Sequence, residues 1–557
     1  MYKEDFLNEI DQLNRRYEEE FSRILDRIPN SKKHYITNSG IKVKPLYTPS
    51  DIAGIDLKKD LSYPGQYPYT RGIFPAGYLS RPGNPFNMRQ VTGIGTAEET
   101  NKRWKYLFSL GARAVAVVGA PHGWSPDVDD EMTLGFAGKD SLAADTLADM
   151  ETLFDGIDLR KISVHLISGS TTTLAMYIAI AEKQDIDPRE LRGSMSNSLR
   201  PDRDCIEIIE YCHKNMPLFH SGYIDVRNVR EAGCNAVQEI AFGCAMGMAA
   251  VEAVAPKGIG VDEIAPRISW FVNSCPDFFE EIAKFRAMRK VWARTMRERC
   301  NAKNPKSWQW RAHCQTYAPT LTGQQPFNNI IRSTIYALPA IIGGVQSLHV
   351  NSFDETLACP TEFSVQLSLK TMQIIAHETG ITSVIDPIAG SYYVEWLTKK
   401  LEEEAEVLID TINAKGGAYE AWTWMEDEVR KEASINQREF DKGNDILIGV
   451  NAFAEEVDLQ MQAFETLQEH AEFEALYVYD PSIRDKQIAR LNKFRQERDH
   501  KRVEEAKKIL YDAFKSTENA VPALVKAVKM GVTQGEIYSV RKEAEGKDQE
   551  LGMYMLG

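Results

Sequence analysis

The side chains able to do chemistry in this sequence gather at the ends of short β-rich pieces. Gln90, Ser168, Ser170, Ser194, Ser196, Asn197, Asn228, Asn273, Ser274, His313, Gln315, His349 and Asn351 fall at their C-terminal ends. These are amides, hydroxyls and imidazoles, and Asp225 is the strand carboxylate, which fits a salt bridge as well as a site. No paired carboxylates, no HExxH and no two-histidine, one-acid metal set appear. Glycoside hydrolysis, zinc hydrolysis and Schiff-base lysine chemistry therefore gain no support. A neutral hydrogen-bonding site suits a reactive species that must be held without being protonated. Radical chemistry on a cofactor has that need, because the cofactor breaks the bond while the protein orients and shields. The same groups also satisfy one another inside many barrels, and His313 in RAHCQTY fits a core imidazole equally well. Arg71 and Arg81 read as surface charges as readily as ligands. Arg89 and Arg267 differ: each flanks apolar strand residues, where a lone guanidinium is costly without an anion, so they point to a phosphate or carboxylate.

The elements that must position these groups alternate. RQVTGIG (89–95), AVAVVGA (114–120), ISVHLISGS (162–170), LRGSMSN (191–197), GYIDVRN (222–228), RISWFVNS (267–274), RAHCQTY (311–317) and VQSLHVNS (345–352) are strand-like. Between them lie amphipathic helical patterns such as AEETNKRWKYLFSLG, SLAADTLADMETLF, AVQEIAFGCAMGMAAVEAV and PDFFEEIAKFRAMRKVWARTMRERC. Eight strand–helix units predict a (β/α)8 TIM barrel, whose functional groups sit at the C-terminal strand ends. An open doubly wound sheet is the alternative, weakened by the lack of GxGxxG after the first strand. Met246 and Met248 read as core.

Around the barrel at 88–390 the pattern predicts a helix and extended wrapping arm at 1–87, a helical extension at 391–470, and a mixed-charge helical tail at 471–557. That tail reads equally as a subunit contact or as a solvated charged pair. With 557 residues the chain buries a large core without staples, and a net charge of −14 argues against nucleic-acid or anionic-membrane binding. The charged start is not signal-like, and the eight cysteines lack any CxxC, which predicts reduced thiols in the cytoplasm.

Longer blocks carry a resemblance. SGIKVKPLYTPSDI, YPGQYPYTRGIF, RQVTGIGTAEETNKRWKYLFSLGA, REAG, APRISWF, DFFEEIAKFRAMRKVWA, the run from RAHCQTYAPTLTGQQPFNN to SLHVNSFDETLACPTE, and VIDPIAGSYYVEWLT recur in order. Together they resemble the large subunit of adenosylcobalamin-dependent acyl-CoA mutases, the methylmalonyl-, isobutyryl- and 2-hydroxyisobutyryl-CoA mutase family. The resemblance is dense over residues 35–400 and implies a barrel threaded by the pantetheine arm of coenzyme A. It also implies a corrinoid carried by a Rossmann-like domain with a DxHxxG motif. The sequence holds no DxHxxG and no such domain. Adenosylcobalamin is then expected to be shared with a separate small subunit in a heterotetramer.

By motif, the resemblance places Phe74, Arg81, Asn87 and Arg89 on coenzyme A, and Arg267, Ser269, His313 and Gln315 on the thioester and acyl part. Val118, Glu355 and Ala358 fall on the cobalamin side. The acyl end departs from the family. Val91 stands where relatives place Tyr, Phe or Ile, Ser194 and Ser196 replace Thr and Gln, and Val226-Arg227-Asn228 replaces Gly-Tyr-His. Asn228 thereby takes the position of a histidine that polarises the thioester carbonyl; an amide donates a hydrogen bond there but supplies no proton. The stretch bearing the family's acyl-selecting Arg or Gln is missing after GSMSN, Val118 replaces Phe, and Asp140 replaces Ala. Methylmalonyl is disfavoured unless Arg227 or Arg200 meets its carboxylate. The expected activity is a radical 1,2-carbon-skeleton rearrangement of an atypical acyl-CoA, with Asn228, Gln315 and His313 as the catalytic set. A catalytically silent subunit, and a mutase acting on a substrate that is not a CoA thioester, are the competing readings.

Overall fold

All eight β-rich pieces join one parallel sheet rolled into a ring. The structure, a computed structural model, describes residues 2–28, 35–81, 83–93, 95–118, 126–134, 138–139, 141–167, 170–196, 202–470 and 477–546. Around the ring run β1 (Asn87–Thr92), β2 (Ala114–Val118), β3 (Ser163–Ile167) and β4 (Gly193–Met195). They are followed by β5 (Phe219–His220 and Gly222–Asp225), β6 (Ile268–Ser274), β7 (Ala312–Thr316) and β8 (Ser347–His349). β8 pairs with β1, Ser347 opposite Asn87. β5 closes the ring: its first piece pairs with β4 (Phe219 opposite Gly193) and, past Ser221, its second pairs with β6 (Asp225 opposite Phe271). The expected (β/α)8 barrel is the fold.

Local chemistry moves the strand ends. β1 stops before the GIG of its pattern, because Gly93 and Gly95 take φ of 111° and 70°. Thr96 then caps the helix Ala97–Ser109, accepting from Glu99 N while Glu99 accepts from Thr96 N. The larger correction concerns GYIDVRN. β5 begins at Phe219 and ends at Asp225, whose carboxylate accepts from Asn228 N at 3.1 Å and opens the short helix Arg227–Glu231. Asn228, expected at a strand end, lies in that helix. In SLAADTLADMETLF only Leu147–Leu153 is helical, since Thr146 takes the cap.

Two helices are apolar on every face and so need cover on both sides. Thr171–Lys183 lies over β3 and β4, and its outer face is covered by the tail helix Val521–Lys529, which brings Leu524 and Val528 into the same core. Ala236–Val254 lies over β5 and β6 under Leu397, Leu401, Ala405 and Ile409 of the helix Tyr392–Ala414. Its extension Ala236–Lys257 is, among the described helices, the one long and apolar enough to cross a membrane, and here it is a core helix. Gly243 and Gly247 allow its close approach, because an added Cβ would overlap the rings of Trp270 and Trp292. Gly243→Ala is expected to cost about 1–3 kcal/mol by overpacking, seen as a lower denaturant midpoint at unchanged slope.

The tail divides at Asp499, which caps His500–Lys515 by accepting from Lys501 N and Arg502 N. Its last helix, Gln534–Glu545, is tied to the segment after β2: Asp127 accepts from Gly535 N (2.7 Å), Thr533 Oγ1 and Arg495 Nη2 (2.8 Å). Ahead of the barrel, the helix Glu4–Leu25 buries no residue, while Ile52, Ile55, Leu61, Tyr69 and Ile73 anchor the arm. All eight cysteines are free thiols.

Candidate active site

Strand alternation sorts the barrel wall into two faces. Outward residues such as Met88, Val115, Val164, Met195, Ile224, Trp270, Cys314 and Leu348 enter the cores beneath the helices. The opposite parity therefore faces the lumen: Asn87, Arg89 and Val91 on β1, Ala114 and Ala116 on β2, Ser163 and His165 on β3. Ser194 and Ser196 follow from β4, Tyr223 and Asp225 from β5, and Ser269, Phe271 and Asn273 from β6. His313, Gln315, Ser347, His349 and Asn351 complete the wall. Barrels of this kind are ordinarily filled by layers of Val, Ile and Leu. Here the wall instead carries Ala, Ser, Asn, Gln and His beside the rings of Tyr223 and Phe271, which pack against His165 and His313.

One mouth of the lumen is cationic. Arg89, Arg267 and Arg311 stand at the N-terminal strand ends, and among the described residues no carboxylate pairs with them. Arg89 Nη2 donates to Ser163 Oγ at 3.2 Å, and its buried Nε has no partner. Burial pushes the Arg89 and Arg311 guanidiniums down to about 10, with Arg267 adding to the shift at Arg311. Between them His220 is held down to about 3 by burial and then by these three charges. Next to this mouth a cleft is lined by Phe74, Arg81 and, ahead of β8, Gly343, Gly344 and Gln346. The Arg81 guanidinium lies 5.7 Å from the Phe74 ring centre.

Neutral groups dominate the lumen above. Ser347 Oγ donates to Asn87 O (3.3 Å), so its oxygen accepts the Nδ1 proton of His313 (2.8 Å). His313 Nε2 is then a lone pair, buried and without a described partner. His349 Nδ1 gives its proton to Arg89 O at 3.3 Å; burial lowers His349 to about 4 and also holds His313 well below the ordinary imidazole value. Asn273 Oδ1 and Asn351 Oδ1 are also buried and unpartnered.

At the C-terminal mouth Arg227 lies 5.2 Å over the Phe271 ring, with Nη2 2.8 Å from Glu231 and Nη1 donating to Asn228 Oδ1 at 3.0 Å. Asn228 Nδ2 donates to Asp225 (3.2 Å), which burial pushes up to about 6. Glu355 is raised to about 7 by burial, and its Oε2 has no partner. Ala358 lies in the same segment after β8.

Most of the expected site residues thus share one lumen or its two mouths. The side chain of Val118, and Ser168, Asn197, Asp140 and Arg200, lie outside the described residues. His165, His220, Tyr223 and Arg311 were not among those expected. Their signal is parity: His165 alternates with Val164 and Leu166, and Arg311 stands two residues before His313.

Comparison with known proteins agrees with this wall of anion-ready arginines and neutral amides. A family model described as methylmalonyl-CoA mutase matches residues 36–547. The chain belongs to the methylmalonyl-CoA mutase family. It is 36% identical to the 2-hydroxyisobutanoyl-CoA mutase large subunit of Aquincola tertiaricarbonis over 96% of each chain. It is 36% identical to the methylmalonyl-CoA mutase of Cereibacter sphaeroides, covering 92% of this chain and 72% of that one. With the human mitochondrial methylmalonyl-CoA mutase the identity is 35%, over 92% of this chain and 68% of the other. Members of this family are isomerases that use adenosylcobalamin. The C-terminal mouth fits such a group, because the unpartnered Glu355 Oε2 and Asn351 Oδ1 can meet the carboxamide edges of a corrin or the hydroxyls of a nucleoside. Among the described residues no three His, Cys, Asp or Glu side chains are placed to hold a metal ion themselves.

Proposed function

We propose that this chain is the substrate-binding large subunit of a two-component adenosylcobalamin-dependent acyl-CoA mutase, acting on an acyl-CoA other than methylmalonyl-CoA. One observation carries the reading: a polar lumen with guanidiniums at one end that no described carboxylate neutralises, and neutral, hydrogen-bonding side chains along its length. Arg89, Arg267 and Arg311, with Phe74 and Arg81 in the adjoining cleft, suit the phosphates and adenine of coenzyme A. Asn87 and Ser269 line the path between. His313 Nε2 accepts from a pantetheine amide N–H, the inward Gln315 offers amide N–H groups to the thioester carbonyl, and Asn228 at the C-terminal mouth has one N–H left beside the one it gives Asp225. When bound, adenosylcobalamin would supply the radical chemistry for hydrogen-atom transfer with the acyl chain. The lumen keeps water and stray hydrogen donors away, and its imidazoles, held neutral, supply no protons.

A separate small subunit is favoured by the match to a large subunit over 96% of both chains. Against methylmalonyl, both terminal nitrogens of Arg227 are already engaged, and Asp225, Glu231 and Glu355 surround it with carboxylates. The test is to purify the chain with a small DxHxxG-bearing protein, add adenosylcobalamin, and supply a panel of acyl-CoAs. Turnover with a cofactor-derived paramagnetic signal is expected. Neither signal nor turnover would favour the silent subunit, a reading that the tethering of Asn228 to Asp225 also supports. Val91 faces Ala116 across the β1–β2 pair, and both are small. Val91→Phe is therefore expected to cut kcat/KM for branched acyl chains about tenfold or more relative to straight ones, through steric exclusion.

A further inference from the structure

We propose that the helix Glu4–Leu25 pairs antiparallel with the same helix of a second copy of this chain. The inference stands apart from the acyl-CoA reading. Phe6, Ile10, Leu13, Tyr17, Phe21 and Ile24 recur at steps of 4, 3, 4, 4 and 3 residues. A helix turns about 100° per residue, so the six fall in one stripe about 80° wide on a rod about 33 Å long. None of them is buried, and Leu13 and Ile24 are 59% and 51% exposed. The start of the helix is nonetheless fastened to the body. The Tyr2 ring stacks on Phe6, centroids 5.6 Å apart, and packs on the arm's cluster of Ile52, Ile55 and Leu61. A contiguous apolar face of this length, left to solvent, marks a contact surface.

The stripe is complementary to itself. Reversed about its midpoint at Arg15, it sets Phe6 on Ile24 and Leu13 on Tyr17, and brings Ile10 within one residue of Phe21. A two-fold axis also brings each flank of the stripe against its own copy. One flank carries Asp5 and Glu9 in its first half and Arg16, Glu20, Arg23 and Arg27 in its second. Reversal sets the two carboxylates against the half richer in arginine. Asp5 comes level with the stretch between the partner's Arg23 and the partner's Arg27, and Glu9 stands next to the partner's Arg23. Within its own helix Arg23 lies 3.8 Å from Glu19, and both are exposed, so its guanidinium has donors to spare. In a parallel pair these acids and arginines would stand at opposite ends of the contact. A membrane suits the face poorly, because the helix carries seven acids against three arginines and anionic lipid would repel it. An unrelated partner accounts for the apolar face but not for its match to its own reverse.

The full-length chain, alone in solution, would be followed by sedimentation velocity over a range of concentrations. A dimer is expected. Leu13→Asp combined with Tyr17→Asp should leave monomer; both positions are exposed, and thermal melting verifies that the barrel is intact. Arg23→Glu combined with Arg27→Glu should raise the dimer dissociation constant at least about tenfold by setting like charges together. Adding Asp5→Arg and Glu9→Arg to that variant should bring the constant back, because the exchanged charges meet again only in the antiparallel pair. A monomeric wild type overturns the proposal, whether the helix then engages a foreign subunit or a vesicle. A dimer that survives the two aspartates overturns it as well, by placing the contact elsewhere. A dimer lost with the aspartates yet not restored by the charge exchange overturns the antiparallel pairing. None of these results bears on acyl-CoA binding, which is measured separately.

Discussion

Arg89→Met is expected to stabilise the unliganded fold while weakening its grip on acyl-CoA. The guanidinium is buried inside the barrel, and its described side-chain partner is a neutral hydroxyl, Ser163 Oγ. No carboxylate compensates its desolvation, as its pKa of about 10 reflects. At neutral pH it is still charged, so the unliganded chain carries the cost continuously. Methionine fills a similar volume without charge, and relief of about 1–3 kcal/mol is expected in denaturant unfolding. The same cation, met by a phosphate, makes charge-assisted hydrogen bonds in a site that excludes water. Losing it should cost about 2–5 kcal/mol of acyl-CoA binding, roughly thirty-fold to several-thousand-fold in Kd. Lower stability with unchanged affinity would instead make Arg89 a structural residue.

The same arginine marks how much the sequence disclosed. Its cost in an apolar strand is readable from RQVTG alone, and so is the alternation that makes eight barrel strands. Boundaries depended on local competition that periodicity does not see. Gly93 and Gly95 end β1, and the Asp225 side chain turns VRN from strand into helix, which moves Asn228 off a strand end. His165 and Arg311 were legible by parity, yet ISVHLI and RAHCQ draw attention to their termini rather than to the inward positions within them. The tail was harder. Its charged face dominates the composition, whereas its docking is dictated by a distant partner: the all-apolar Thr171–Lys183 helix, whose outer face needs cover. That helix carries the clue, and the tail itself does not.

Lys284→Met should be the most damaging single change to stability. Lys284 Nζ lies 2.8 Å from Glu239 and 2.6 Å from Glu281 and donates to Asn273 O at 2.8 Å, and all three side chains are wholly buried. Arg230, 3.6 Å and 3.5 Å from the same two carboxylates, completes a balance of two cations against two anions. Burial alone pulls the lysine pKa down, but Glu239 and Glu281 more than reverse that and hold the ammonium charged. Removing it leaves an uncompensated buried carboxylate, for which a loss of about 3–5 kcal/mol is expected in denaturant unfolding. The variant's unpaired acid would have a folded pKa above its unfolded value. The deficit should therefore be small near the unfolded carboxylate pKa and grow as pH rises from there towards neutrality. Adding Glu281→Gln restores one cation to one anion and should recover much of the loss; no recovery, or a deficit that does not vary with pH, would refute the charge argument. The consequence reaches the lumen because the network holds both ends of one residue: Lys284 donates to Asn273 O, and Glu239 accepts from Asn273 N at 3.4 Å. A folded Lys284 variant should thus loosen the acyl end of β6 while coenzyme A still meets its arginines at the opposite mouth.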